Sequence, residues 1–335
     1  MEMISVVVIG RNEGQRLMDC IKSIQALDEP TEIIYVDSDS TDGSPERAKK
    51  LGIKVIVVHP ERPTAAIGRN AGWQAASHSL ILFIDGDTIL NKDFFKVSLP
   101  IFDDPKVAAV CGHYRELYPK ASIYQRVLDL DWMVPTGVVS SCGGIVLMRK
   151  NVLEKVNGYN SQLIAGEEPE MCQRIRASGY IIHRIDQPMI LHDLAIKSWS
   201  QYWQRSVRTG HAYAEISNML ESSPLADFYK ERAGGILWQQ ESKKNFINAG
   251  IWLSIFLFGL LLTLFSWLPL LFCIGLFLIL SLRTSWKNRW KSNNKFSIFL
   301  YGLHSHFQHI PIMVGQFSYY YYNWLGKRRK LIEYK

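Results

Sequence analysis

The stretch LILFIDGDTIL, residues 80–90, begins as an apolar run and closes on two aspartates one residue apart, Asp85 and Asp87. Two carboxylates at one strand end repel each other unless a cation lies between or beside them. Their hard oxygens suit Mg2+ or Mn2+, and Mg2+ in turn takes phosphate oxygens. Polar residues close two earlier apolar runs in the same way: Arg11-Asn12-Glu13 after Ile4 to Ile9, and Asp37-Ser38-Asp39 after Glu32 to Val36.

Positioning such groups side by side calls for an alternation of short strands and helices. Ile4 to Ile9, Glu32 to Val36, Lys54 to Val58 and Leu80 to Ile84 read as strands. Leu17, Cys20, Ile21 and Ile24 recur at helical spacing between the first two, and Ser44-Pro45-Glu46 reads as an N-cap with proline at the first helical position. Residues 65 to 77 supply the next helix. This rhythm predicts an α/β domain with a mostly parallel sheet, in which ligands gather at the carboxyl ends of the strands, where the polar residues fall. No Gly-x-Gly-x-x-Gly follows the first strand and no Walker lysine motif occurs, so the usual support for dinucleotide and P-loop readings is missing.

The chain has 335 residues, 47% of them hydrophobic, enough for one large domain and a smaller one. Its net charge of +7 is uneven. Acidic residues gather in the first 230 positions, whereas Lys287, Arg289, Lys291, Lys295 and Lys327-Arg328-Arg329-Lys330 crowd the end, a layout suited to anionic lipid headgroups rather than nucleic acid. Five scattered cysteines show neither disulfide nor zinc spacing, which fits a reducing, cytosol-facing location. The N-terminus enters a strand at once, and no signal peptide is expected there.

From Asn245 to Leu282 no residue is charged. As one helix these 38 residues would span about 57 Å, near twice a ~30 Å hydrocarbon core. Pro269 near the midpoint predicts a hairpin of two helices of roughly 17 to 19 residues. Lys243 and Lys244 before it, and Arg283, Lys287, Arg289 and Lys291 after it, place both ends on the cytoplasmic side. Residues 296–326 are uncharged with neutral histidines but carry three His, two Gln and four consecutive Tyr, which predicts an interfacial or re-entrant segment. The spacing of His304, His306 and His309 matches no standard metal site.

The run of motifs VVVIGRNEG, IIYVDSDSTDGS, GRNAG, LFIDGD, CGGIVLMRK and GEEPEMCQRIRASGY, over residues 3 to 215, resembles the family-2 glycosyltransferases with the GT-A fold. The resemblance implies a catalytic domain over 1–225, and the composition beyond it predicts a linker or juxtamembrane helix over 226–245, two transmembrane helices over 246–283, and a basic cytoplasmic loop, interfacial segment and basic tail over 284–335. It implies that Asn12, Glu13 and Asp37 line a nucleotide pocket, that Arg69 and Asn70 lie near the nucleotide and its phosphates, that Asp85 and Asp87 hold Mg2+ or Mn2+ on the diphosphate, and that Gly143-Gly144 forms part of the sugar floor. GEEPEMCQRIRASGY corresponds to the family's Glu-Asp motif at a helix start, with Glu168 where the family's base is an aspartate. Glu167 and Glu170 share that turn and remain alternatives.

A nucleoside-diphosphate sugar breaks at its anomeric carbon with charge building on the diphosphate, and a carboxylate opposite takes the proton of the incoming hydroxyl. The resemblance therefore implies an inverting, metal-dependent transferase. His192, in MILHDLA after a strand-like run, is a candidate further metal or diphosphate contact. Arg205, Arg208 and His211 recur on one face of a helix starting near Ser198 and could reach the diphosphate or lipid headgroups. Processive synthases of the family carry Gln-x-x-Arg-Trp, which QYWQRS at 201–206 does not match. A single hairpin suggests a membrane-held acceptor, such as a lipid-linked saccharide or glycolipid, at the inner membrane with the catalytic domain in the cytoplasm. An inactive nucleotide-sugar-binding scaffold and a transferase acting on polyprenyl phosphate are the alternatives.

Overall fold

A computed structural model describes residues 3–327; Arg328-Arg329-Lys330 of the basic tail and the terminal Lys335, whose side of the membrane is part of the topology reading, lie outside the described residues. In chain order the elements are β1 (Ile4–Gly10), α1 (Gln15–Gln25), β2 (Thr31–Asp37), α2 (Ser44–Lys49), β3 (Lys54–Val57), α3 (Ala65–Ala75), β4 (Leu80–Asp85), β5 (Thr88–Leu90), α4 (Phe94–Ser98), β6 (Val107–Glu116) and α5 (Ile123–Asp131). Then follow β7 (Gly137–Val139), β8 (Val146–Arg149), α6 (Lys150–Lys155), α7 (Glu167–Ala177), β9 (Ile181–His192), α8 (Trp199–Glu221), α9 (Ala226–Arg232), α10 (Gln239–Leu261), α11 (Leu268–Lys287), α12 (Lys295–Phe307) and α13 (His309–Trp324). They divide into two compact units, one of Met1–Leu117, Val134–Leu194 and Ser222–Leu237, the other of Tyr118–Met133, Ala195–Glu221 and Trp238–Lys335.

The first unit is built on a sheet ordered β3-β2-β1-β4-β8-β6-β9-β5, with β7 also paired to β9. The strands β3, β2, β1 and β4 are parallel, as the alternation predicts. Beyond β4 the sheet is mixed: β8 runs antiparallel to both β4 and β6, while β9 is parallel to β6. The expectation of a mostly parallel sheet therefore holds for the first half. Ile4, Val6, Val7 and Val8 of β1 are completely buried, the continuous apolar run of a strand covered on both faces. Leu17, Met18, Cys20, Ile21 and Ile24 form the buried stripe of α1, and truncating one such Leu or Ile to Ala costs about 2–5 kcal/mol. One local expectation shifts: α2 begins at Ser44 itself and Gly43, in the left-handed region, is its cap. The Ser44 hydroxyl instead accepts the Gly14 N–H at 3.2 Å.

The second unit is helical. The hairpin helices α10 and α11 run to 23 and 20 residues, longer than the sequence suggests, and Pro269 sits in the first turn of α11 rather than at the tip. The first helix starts at Gln239, so Lys243 and Lys244 are inside it. Only 17% of the apolar window of either helix is buried. Residues 296–326 form α12 and α13. In α12, His304 Nε2 lies 3.0 Å from Asp131 Oδ2 and its Nδ1 2.7 Å from Tyr202 Oη. His306 pairs with Thr284 and His309 with Asn245, so the three histidines have separate partners. Gly210 of α8 and Gly315 of α13 let the two backbones meet: a Cβ on Gly210 would fall 1.8 Å from Ile312 O.

Candidate active site

Sheet register brings the strand-end acids together. Gly10 at the end of β1 pairs with Asp37 of β2, and Ile9 pairs with Asp85 of β4, so the two aspartates flank the same strand end. Thr88 of β5 pairs with His192 of β9, and the Asp193 N–H donates to Asp87 O at 3.0 Å, which delivers His192 to the Asp-Gly-Asp turn. His192 Nε2 then lies 3.0 Å from Asp87 Oδ1. Ligand atoms of Asp85, Asp87 and His192 fall within 4.8 Å of one another. Two carboxylate oxygens and an imidazole nitrogen are a donor set that fits Mg2+ or Mn2+.

Arg69 on α3 organises the next layer. Its guanidinium is 3.0 Å from Asp85 Oδ1 through Nη2 and 2.6 Å from Glu167 Oε1 through Nη1. Burial opposes the charge, but Asp85 and Glu167 more than offset it and hold the arginine pKa above its ordinary value. The Arg69 Nε has no partner among the described residues. Gly144 makes room for this group, since a Cβ there would lie 2.5 Å from Nη2. Gly143, at φ +87°, likewise admits the Tyr114 ring, and its added Cβ would be 2.8 Å from Cε2.

The three glutamates at the start of α7 separate by their partners. Glu167 is tied to Arg69, and Glu170 is held by Arg174 through both oxygens at 2.8 and 2.7 Å. Glu168 alone of the three has no cation on it among the described residues. Its Oε1 accepts the Cys142 N–H at 2.8 Å, the Cys142 thiol at 3.2 Å and the Cys172 thiol at 3.0 Å. The two sulfurs are 3.4 Å apart. No hydrogen bond reaches Glu168 Oε2 among the described residues, which leaves it for an incoming donor.

The other expected site residues build the loops around this centre. The Asp37 carboxylate is fully buried and accepts the Tyr35 hydroxyl at 2.5 Å and the Ser40 N–H and hydroxyl at 2.7 and 2.6 Å. Burial and the bond to Asp37 push the Tyr35 hydroxyl pKa up. Asn12, at φ +56°, accepts the Thr41 N–H at 2.8 Å and fixes the β1 end to the loop before α2. Glu13 pairs with Arg16 at 2.7 Å. The Asn70 amide donates to Tyr159 O and Ser161 Oγ and accepts from Trp73 and the Tyr159 N–H, so both its ends clamp the 159–161 turn. Arg205 lies on α8 of the helical unit, where with His304 and Lys291 it overcomes the effect of burial and holds the Asp131 carboxyl below the usual range. His211 on the same helix packs edge-on against Tyr319 at 5.5 Å and is buried, which removes it from the face assigned to ligand or headgroups. Sequence reasoning missed Tyr35, Ser40, Cys142 and Cys172. Their types are ordinary, and only the fold shows that they converge on Asp37 and Glu168.

Residues 5–156 match the family model described as Glycosyl transferase family 2, and residues 130–196 match one described as N-terminal domain of galactosyltransferase. The glycosyltransferase AglE of Haloferax volcanii is 22% identical over 189 residues, 53% of this chain and 62% of its own. The O-antigen chain rhamnosyltransferase WbaN of Salmonella anatum is 24% identical over 179 residues, 49% of this chain and 57% of its own. The chain thus spans under two thirds of the length of these relatives. In three dimensions it is similar to the mannosyltransferase PcManGT from Pyrobaculum calidifontis, solved in complex with GDP-Man and Mn2+, with a TM-score of 0.58 at 16% identity over 97% of this chain and 88% of that one. The family-2 model thus covers the strands and loops of the candidate site, the core fold is similar to that of a solved glycosyltransferase, and two of the C-terminal helices are apolar enough to cross a membrane.

Proposed function

We propose that the chain is a family-2 glycosyltransferase that moves a sugar from a nucleoside-diphosphate sugar to a hydroxyl of a membrane-held acceptor, a lipid-linked saccharide or glycolipid, by one inverting displacement. The observation that carries the assignment of the base is the sorting of the α7 glutamates: Glu167 and Glu170 are neutralised by Arg69 and Arg174, whereas Glu168 keeps one oxygen without a partner among the described residues. Glu168 takes the proton of the acceptor hydroxyl as the oxygen bonds to the anomeric carbon. The bond from that carbon to the diphosphate breaks, and the diphosphate leaves with the electron pair. Asp85, Asp87 and His192 would hold Mg2+ or Mn2+, which when bound would supply charge stabilisation for the leaving group. Arg69 orients Asp85 and keeps Glu167 from competing as a base. Asp37 and Asn12, by fixing the β1 and β2 ends, shape the nucleotide pocket, and Gly143-Gly144 admits the Tyr114 ring and the Arg69 guanidinium that back the proposed sugar floor.

The acceptor class rests on the helical unit. Phe258, Leu264, Phe265, Leu268 and Phe272 are each more than 60% exposed, an apolar surface that water does not favour and a bilayer would cover. Trp286 and Trp290, both exposed beside Arg289 and Lys291, suit the headgroup level on the cationic side, which supports the reading of a catalytic domain in the cytoplasm at the inner membrane. The test is nucleotide release by the full chain in nanodiscs with a panel of nucleoside-diphosphate sugars. Release that rises on adding a lipid-linked saccharide, with an inverted anomeric configuration in the product, supports the reading. Release with no lipid dependence, or with retention, contradicts it.

A further inference from the structure

The thiol pair around Glu168 is not required by sugar transfer. Ligand atoms of Cys142, Glu168 and Cys172 lie within 4.8 Å of one another, and the three side chains are all buried. The separations are 3.4 Å between the sulfurs, and 3.2 and 3.0 Å from Glu168 Oε1 to Cys142 Sγ and Cys172 Sγ. Around a tetrahedral Zn2+ with Zn–S near 2.3 Å and Zn–O near 2.0–2.2 Å, two sulfurs stand about 3.8 Å apart and a sulfur and an oxygen about 3.5 Å apart. The three atoms need to open by only a few tenths of an ångström. Two arginines grip the backbone next to the cluster, Arg176 through Ser140 O at 3.1 Å and Arg184 through Ser141 O at 3.3 Å, and lend it positive charge.

We propose that Cys142, Cys172 and Glu168 form a soft cation site that takes Zn2+ or a thiophilic analogue such as Cd2+, distinct in ligand chemistry from the oxygen-rich Asp85, Asp87 and His192 site. Binding replaces two S–H protons with two metal–thiolate bonds and releases both protons to solvent, while the carboxylate supplies the third ligand and a fourth position stays open for water. Because both thiols give up a proton on binding, binding tightens as pH rises. Because the cation takes Glu168 as a ligand, it also removes the acceptor's base. That consequence rests on the proposed role of Glu168, whereas binding itself does not.

The experiment uses the full chain in detergent, saturated with Mg2+ and titrated with Cd2+ while the ultraviolet thiolate-to-cadmium charge-transfer band is followed. The expected result is a band that saturates at one Cd2+ per chain. Cys142→Ala should lower its apparent affinity by about tenfold or more, Glu168→Gln should weaken binding yet retain the band, and Cys111→Ala should leave it unchanged. Should Cys172→Ala fail to fold, the wild-type titration and Cys142→Ala still decide. No band in the wild type, or a band undiminished by Cys142→Ala, overturns the site. A normal band with transfer unaffected at saturation keeps the site and instead contradicts Glu168 as base.

Discussion

Two clusters of three potential ligands lie in the same sheet unit, and they differ in water and in ligand softness. Asp85, Asp87 and His192 stand at strand ends with the Asp85 side chain 32% exposed although Asp87 is buried, whereas Cys142, Cys172 and Glu168 are all buried. In the first cluster each acid has a basic partner, Arg69 or His192. In the second the acid is held by a backbone N–H and two thiols. In the proposed mechanism the difference keeps a diphosphate-facing set of oxygens apart from the carboxylate that would accept the proton: the first cluster is reached from the strand ends, and in the second one carboxylate oxygen is fixed by three donors. Arg69 separates them, with one arm on Asp85 and the other on Glu167, the neighbour of Glu168.

Removing charge from the strand-end cluster should have the largest effect. Asp87→Asn is expected to abolish transfer and metal-dependent nucleotide binding with a smaller change in the melting curve, because Asn keeps the size of the side chain and an oxygen that can accept from His192. Nucleotide release measured with and without EDTA checks this, and wild-type activity in EDTA would remove the cation from the account. Cutting the link comes next. Arg69→Met leaves Asp85 and Glu167 without their buried cation and should cost about 3–5 kcal/mol in stability, read by denaturant unfolding in detergent. A smaller loss, about 1–3 kcal/mol, is expected for Gly144→Ala, whose Cβ meets a guanidinium that two carboxylates hold in place. An unchanged midpoint for that variant would show that Arg69 moves freely.

The smallest effect belongs to the helical unit. The Asp131 carboxyl is held below the usual range by His304, Arg205 and Lys291 in spite of burial. A depressed folded-state pKa contributes stability that is present above the unfolded value and lost as pH falls through the folded one. Wild type should therefore lose stability at the acid end, below about pH 4, and Asp131→Asn should show a flatter acid limb in the same melts. Equal slopes in the two proteins would mean that the His304 pair does not couple to folding.

How much of this was legible follows from the range of each signal. Strands β1 to β4 and their acidic ends could be read because an apolar run and the residue that ends it are adjacent in sequence. The start of α7 could be read from its glycine, acids and proline for the same reason. The pairing of Arg69 with Glu167 spans 98 residues and that of Cys142 with Cys172 spans 30, and no local pattern announces either. The antiparallel β8 escaped because a buried strand of four residues carries no directional mark. Residues 296–326 read as an interfacial or re-entrant segment because His, Gln and Tyr look polar in isolation. In the fold His304 and Gln316 are buried and hydrogen-bonded, Gln316 to Ser242 and Asn245, which turns polar residues into packing ones.

The central claim is that Glu168 removes the acceptor proton, and turnover of Glu168→Gln beside donor binding tests it most directly. With donor affinity nearly unchanged, turnover should fall by roughly 10²- to 10⁴-fold, the usual yield of general-base catalysis, and Glu168→Asp should retain part of the rate. Glu167→Gln and Glu170→Gln, whose carboxylates pair with Arg69 and Arg174, should change stability more than chemistry. Normal turnover by Glu168→Gln, with either neighbouring variant inactive, would contradict the account and move the base to that neighbour.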